Sequence, residues 1–94
     1  DLYQGEAEYA SKHVGRWAAP RRVRTPLVGQ PGRSRTVPEP LGVGLIIGAW
    51  NYPIQGTLGP LVGALAAGCC AVVKPSEVSA ATSREIARLL PQYV

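Results

Sequence analysis

Apolar residues recur at helical spacing from Asp1 to Ala18. Tyr3, Ala7, Ala10, Val14 and Trp17 follow a 3.6-residue period and predict one helix with a single apolar stripe. Asp1, Glu6 and Glu8 near its start and Lys12, His13 and Arg16 near its end suit the helix dipole. Pro20 terminates it. The pattern then changes. Across Arg21–Glu39 the residues with strand character are Val23, Thr25, Thr36 and Val37. The stretch between them, Pro26 to Gly32, is rich in turn residues. A loose hairpin is predicted, too poor in apolar side chains to form a core, so it must lean on another part of the protein or on a partner chain.

No charged residue occurs from Leu41 to Val73, where one polar island, Asn51-Tyr52, breaks the run; the run ends in Lys74-Pro75-Ser76-Glu77. The glycine-bounded run Gly42–Ile47 predicts a strand buried on both faces. Pro53 suits the first turn of a helix over about Ile54–Ala67. Gly59, Gly63 and Ala64 are expected to let that helix approach a sheet closely, and Gly68 to cap it. Ala71-Val72-Val73 predicts a second buried strand. Ser79 or Thr82 is expected to cap a last helix through Leu90; Thr82 and Glu85 have capping-box spacing and Pro91 marks the end. The order strand–helix–strand–helix predicts an α/β fold with parallel strands and a right-handed crossover. Ligands of such folds bind at the carboxyl ends of the strands. Asn51 follows the first strand, and Lys74 and Glu77 follow the second, so both motifs fall on that edge.

Length narrows the picture: 94 residues make one small domain or a piece of a larger one. Without Phe or Met, the core must come from Leu, Val, Ile and Ala. The net charge of +4 is uneven. Residues 1–40 hold seven Lys/Arg against four Asp/Glu, and residues 41–94 three against two. Two adjacent cysteines, Cys69 and Cys70, cannot build a disulfide framework, so a cytoplasmic setting is expected. The chain begins at Asp1 without Met or a signal-peptide pattern and ends abruptly at Val94, which predicts a piece of a longer protein.

Gly42, Gly44 and Gly48 give G-x-G-x-x-x-G, which misses the G-x-G-x-x-G dinucleotide fingerprint and precedes the turn where a phosphate cradle belongs. Tight packing of a buried strand accounts for them instead. Asn51, in a strand-to-helix turn, can offer its amide N–H to a developing oxyanion; the plain alternative is an Asn that only stabilises the turn. Glu77 can accept hydrogen bonds from both ribose hydroxyls of a nucleotide, with Lys74 on a hydroxyl or near a phosphate. Here the plain alternative is an exposed ion pair of little energetic worth.

GAWNYP, LVGALAAG and VVKPSEVS, in this order and spacing, resemble the aldehyde dehydrogenase superfamily. The Tyr after Asn and the sequence KPSE look most like its fatty and aromatic aldehyde branch. Arg21-Arg22-Val23, Thr25-Pro26-Leu27 and Glu39-Pro40-Leu41-Gly42 extend the likeness upstream, over essentially the whole chain and about a fifth of a full member by length.

The resemblance implies an enzyme that oxidises an aldehyde to a carboxylic acid with hydride transfer to NAD or NADP. It implies a Rossmann-like parallel-sheet domain, lacking the glycine fingerprint, whose incomplete start is residues 41–94. Residues 1–20 then form a helix packed near that domain, and residues 21–40 a hairpin of the oligomerisation arm, so a homodimer is expected. Asn51 matches the oxyanion Asn, Trp50 a residue beside the cofactor, and Lys74 and Glu77 the pair on the adenosine ribose, with Ser76 close by. The family's nucleophilic Cys, general-base Glu and phosphate-proximal glycines fall downstream of the matched region. The chain alone is therefore expected to be inactive. Cys69 and Cys70 occupy the small-residue turn before the second strand and are read as structural. No metal site is expected, and His13 is read as a solvated helix residue.

Two other readings compete. The charge-free run and Gly59-x-x-x-Gly63 suggest a membrane helix, but the uninterrupted part, Leu58–Val73, falls short of the ~20 residues a span needs. Arg21, Arg22, Arg24, Arg33 and Arg35 suggest a nucleic-acid module, but no aromatic residues alternate with them and no recognised motif surrounds them. Neither a membrane span nor a nucleic-acid partner is expected.

Overall fold

The computed structural model describes residues 2–94, without the side chains of Leu2 and Tyr3. The expectations that Asp1 opens the first helix and that Tyr3 joins its stripe lie outside the described residues. The elements are α1 (Leu2–Ala18), β1 (Arg21–Val23), β2 (Ser34–Thr36), β3 (Val43–Ile47), α2 (Gln55–Ala66), β4 (Cys70–Lys74) and α3 (Ala80–Leu89). Short 3-10 turns stand at Leu27–Gly29, Glu77–Ser79 and Leu90–Gln92.

β3 and β4 pair in parallel, from Val43 opposite Cys70 to Ile47 opposite Lys74. With α2 as the crossover and α3 following, this is the expected βαβα unit of a Rossmann-like fold. β1 and β2 form a separate antiparallel hairpin, Arg21 opposite Thr36 and Val23 opposite Ser34. Thr25 Oγ1 accepts from the Ser34 N–H at 2.9 Å and closes its base. Among the described residues the hairpin packs on no other element. The radius of gyration is accordingly 18.1 Å, against about 12 Å for a compact chain of this length.

Among the described residues the sheet is covered on one face only. α2 lies against it, and Ile46, Leu61 and Ile86 are the buried apolar side chains. The expected burial of β3 on both faces is therefore corrected: Val43, Leu45 and Ile47 alternate outward and are exposed, as is Val72 beside them. A parallel sheet is normally covered on both faces, and two strands with one crossover helix supply a single layer.

The glycines of α2 also work differently from expectation. Gly59 approaches Glu6 and, with Gly63, lines a groove shared with Gly5, Tyr9 and Trp17 of α1. They admit α1, not the sheet. The close approach to the sheet falls to Thr57, which is completely buried, and to Gly56 against Ala49. Gly68 caps α2 as expected, with a positive φ of 74°. Pro53 stands in the turn just before α2 instead of its first turn.

At α3 the capping box does not form. Thr82 lies inside the helix, Glu85 pairs with Arg88, and Ser79 precedes the helix with its hydroxyl turned elsewhere. α3 ends at Leu89, one residue short of the expected Leu90, and Pro91 follows within a 3-10 turn. His13 is half-buried and stacks between Tyr9 and Trp17, at centroid distances of 4.0 and 5.8 Å, rather than standing free in solvent. Cys70 is the first residue of β4, not part of the preceding turn.

Gly48 shows how tightly the end of β3 is packed. A Cβ there would collide with Thr57 Oγ1 and lie 3.5 Å from Pro75 Cα. Gly48→Ala is expected to lower stability by about 1–3 kcal/mol through overpacking. Thr57→Ala alone loses a buried hydrogen bond, but it also vacates the space that the new methyl needs. The double variant should therefore be less destabilised than the two single costs combined. Urea unfolding of the four proteins measures this coupling, and strict additivity would refute the contact.

Candidate functional site at the carboxyl edge of the sheet

β3 and β4 end side by side, and the chain leaves both at the same edge. The Gly48 N–H donates to the Lys74 carbonyl at 2.9 Å, carrying the ladder one residue beyond the strands. From there the first loop runs through Trp50-Asn51-Tyr52-Pro53 into α2, and the second through Pro75-Ser76-Glu77 into α3.

Both loops are fixed by polar bonds that do not use the predicted site side chains of Trp50, Asn51, Lys74 and Glu77. Thr57 Oγ1 donates to the Pro53 carbonyl at 2.7 Å, and the Gly56 N–H to the Tyr52 carbonyl at 2.7 Å. Ser79 Oγ donates across to the Trp50 carbonyl at 3.1 Å and ties the second loop to the first. Ser76 is buried; its Oγ accepts from the Val78 N–H at 3.3 Å, and its carbonyl accepts from Ser83 Oγ. Ser76 thus shapes the turn between Lys74 and Glu77.

The side chains that remain point into solvent. Trp50 is 64% exposed and Asn51 is exposed. Among the described residues the Asn51 amide makes no hydrogen bond, so it does not stabilise its own turn. Lys74 Nζ donates to Glu77 Oε2 in an exposed ion pair. That hydrogen bond, aided by Glu77's own backbone N–H and by the Lys74 charge, holds the Glu77 carboxyl below the usual carboxylate range. The group is therefore an anion at neutral pH with lone pairs to spare, which fits a sugar diol.

The structure thus brings Trp50, Asn51, Lys74 and Glu77 to one edge. It places the cysteines at the other. Cys70 opens β4 opposite Val43, about 13 Å from Lys74 at roughly 3.3 Å per residue. Both thiols are free. The clefts between α1 and α2 lie away from this edge, whereas the apolar cleft between α2 and α3 begins beside it at Ile54 and Thr82. Sequence reasoning missed the framework residues Thr57 and Ser79. Thr57 had one signal, a lone hydroxyl on the face of an apolar helix, while Ser79 read as a cap. Among the described residues no group of three potential metal ligands occurs, and no helix is long and apolar enough to cross a membrane.

An α/β unit carrying an Asn in its first loop and a Lys/Glu pair in its second defines the class. The sequence pattern of the aldehyde dehydrogenase family matches residues 5–93, and the chain belongs to that family. Its relatives include an aldehyde dehydrogenase of Craterostigma plantagineum, 51% identical over 90% of this chain and 18% of the relative. Aldehyde dehydrogenase family 3 member A2 of Rattus norvegicus is 49% identical over 96% of the chain and 19% of its own length. Family 3 member B1 of Homo sapiens is 47% identical over 99% of the chain and 20% of its length. A substrate-bound structure of Staphylococcus aureus AldH superposes with a TM-score of 0.92 at 38% identity, over 99% of this chain and 20% of that one. The chain thus spans about a fifth of the length of the relatives it matches.

The Glu77 geometry has a pH signature. A carboxyl with a depressed folded pKa contributes stability above its ordinary range and loses it as pH falls through the depressed value. By carboxyl-detected NMR, Glu77 is expected to titrate below the ordinary glutamate range, and Lys74→Met to return it toward that range. A Glu77 titration unmoved by Lys74→Met would remove Lys74 as the cause.

Proposed function

We propose that this chain supplies the oxyanion side chain and the adenosine-ribose contacts of an aldehyde dehydrogenase, which oxidises an aldehyde to a carboxylic acid with NAD or NADP. The free amide of Asn51 is the observation that carries this reading. The surrounding backbone is pinned by Thr57 and Ser79, so Asn51 adds nothing to the turn and is positioned to serve a ligand. Membership of the aldehyde dehydrogenase family supports the reaction class.

Asn51 acts as a donor. As a thiolate supplied elsewhere in the enzyme adds to the aldehyde carbon, the carbonyl oxygen gains negative charge and the amide N–H bond to it strengthens. A donor already in place costs no reorganisation at that moment. Trp50 forms a flat apolar wall beside the cofactor. The ionised Glu77 accepts from the ribose hydroxyls, Lys74 donates next to it, and Ser76 between them holds the turn. The bound dinucleotide supplies the hydride acceptor. A carboxylate at the ribose disfavours a 2′-phosphate, and Lys74 moderates that preference for NAD. The full enzyme is a cytoplasmic homodimer joined through the residue 21–40 arm, whose strands β1 and β2 pack, among the described residues, on no other element.

In a full-length enzyme carrying this segment, Asn51→Ala should slow acylation by roughly 100-fold or more while affecting apparent aldehyde affinity less. Asn51→Asp should be at least as damaging, since a carboxylate repels the oxyanion. Pre-steady-state kinetics with matched melting curves tests this. A stable Asn51→Ala enzyme with near-normal acylation removes Asn51 from the oxyanion site.

Glu77→Gln should raise the Michaelis constant for NAD more than that for aldehyde and narrow the preference over NADP. An unchanged constant for NAD removes Glu77 from the ribose site.

A further inference from the structure

Ser79 stands at the N-cap position of α3. A serine there ordinarily accepts a hydrogen bond from a free N–H of the first helical turn. Among the described residues the Ser79 side chain makes no such bond. Its hydroxyl donates instead to the Trp50 carbonyl at 3.1 Å, 29 residues away in sequence. Its own N–H donates to the Ser76 carbonyl at 3.3 Å, so the residue is anchored in the second loop, two positions after Glu77. α3 thus forgoes a local cap, and the hydroxyl serves a bond between loops that the helix itself does not require.

The Trp50 carbonyl belongs to the peptide unit that carries the Asn51 N–H. Asn51 therefore stands between two anchored carbonyls. Ser79 holds that of Trp50, and the Gly56 N–H holds that of Tyr52 at 2.7 Å. Among the described residues the Ser79 bond is the only hydrogen bond to residues 49–51. Thr57 does not duplicate it, since its bond falls beyond Asn51, on Pro53. Without Ser79 the peptide plane between Trp50 and Asn51 can turn about the soft dihedrals on either side. The exposed Asn51 side chain turns with it, having no contact of its own to resist.

We infer that Ser79 is a positioning residue for the oxyanion donor: from the cofactor loop it orients the peptide unit that carries Asn51. This role rests on Asn51 being the donor proposed above. It adds a direct physical link between the ribose contacts and the reacting oxygen, because one hydroxyl ties the loop of Glu77 to the loop of Asn51. A donor contributes to rate only while it is aimed at the place where charge develops, so the effect of Ser79 falls on the chemical step.

The experiment is single-turnover acylation by a full-length enzyme carrying this segment, at saturating NAD and aldehyde, with matched melting curves. Ser79→Ala should slow acylation ~10-fold or more, because a small displacement of a catalytic group is costly in rate. The Michaelis constants for aldehyde and NAD should change far less. Ser79→Thr and Ser79→Val are alike in shape and differ in the hydroxyl, so they separate the hydrogen bond from packing. Thr should recover most of the rate and Val should not. In an Asn51→Ala background, Ser79→Ala should add little, since the group it positions is already gone.

Normal acylation by Ser79→Ala at saturation, or a raised Michaelis constant for NAD as its one change, overturns the positioning role. Equal rates for the Thr and Val variants do the same, as does a slowing that multiplies in full with that of Asn51→Ala. Near-normal acylation by Asn51→Ala overturns the oxyanion reading instead, and the role of Ser79 with it.

Discussion

The hydroxyl of Thr57 is completely enclosed, and the carboxyl edge of the sheet is built around it. A buried hydroxyl without a partner is costly. Thr57 meets the requirement by bonding the Pro53 carbonyl, which fixes the entry of the first loop into α2. The same hydroxyl occupies the space above Gly48 and beside Pro75, where any side chain on Gly48 would collide with it. One small polar residue therefore sets two things together: the distance of α2 from the end of β3 and the direction in which the first loop enters α2.

Everything around this point is arranged in one layer. α2 covers one face of β3 and β4, and α1 reaches the far side of α2 through the space left by Gly59 and Gly63. The stack of Tyr9, His13 and Trp17 stiffens α1 along its own length. The opposite face of the sheet, with Val43, Leu45, Ile47 and Val72 in solvent, has the composition of a core without a second layer. Relatives about five times as long have the residues to supply one.

Order and type of the elements were legible in the sequence because each rests on local chemistry. Glycine-bounded apolar runs gave β3 and β4, the helical stripe gave α1, and Gly68 marked the end of α2. The edge carrying Asn51, Lys74 and Glu77 followed from order alone, since parallel strands must end on the same side. What was not legible was which neighbour each small residue meets. Gly59 and Gly63 look the same in sequence whether they admit a sheet or a helix. Ser79 has the composition of a cap, and its use as a tether to Trp50 depends on a residue 29 positions away. The burial of β3 was overestimated because apolar content reports what a strand needs, not what covers it.

Placement of the polar groups separates stability from function in this segment. Thr57, Ser76 and Ser79 hold the loops, and their polar atoms are largely engaged with backbone. Asn51, Lys74, Glu77 and Trp50 are exposed and hold nothing together except the Lys74–Glu77 pair. A solvated ion pair contributes little to folding, so the fold has no use for a carboxylate at position 77 or an amide at position 51. Yet both are placed with little freedom, because the backbone beneath them is fixed by bonds they do not make. The consequence is that substitutions at these positions cost little stability, whereas substitutions at Thr57 or Gly48 disturb the packing itself. A rigid backbone under unspent side chains is the condition for preorganised donors. Here a fully buried hydroxyl, a glycine and a serine tether meet it.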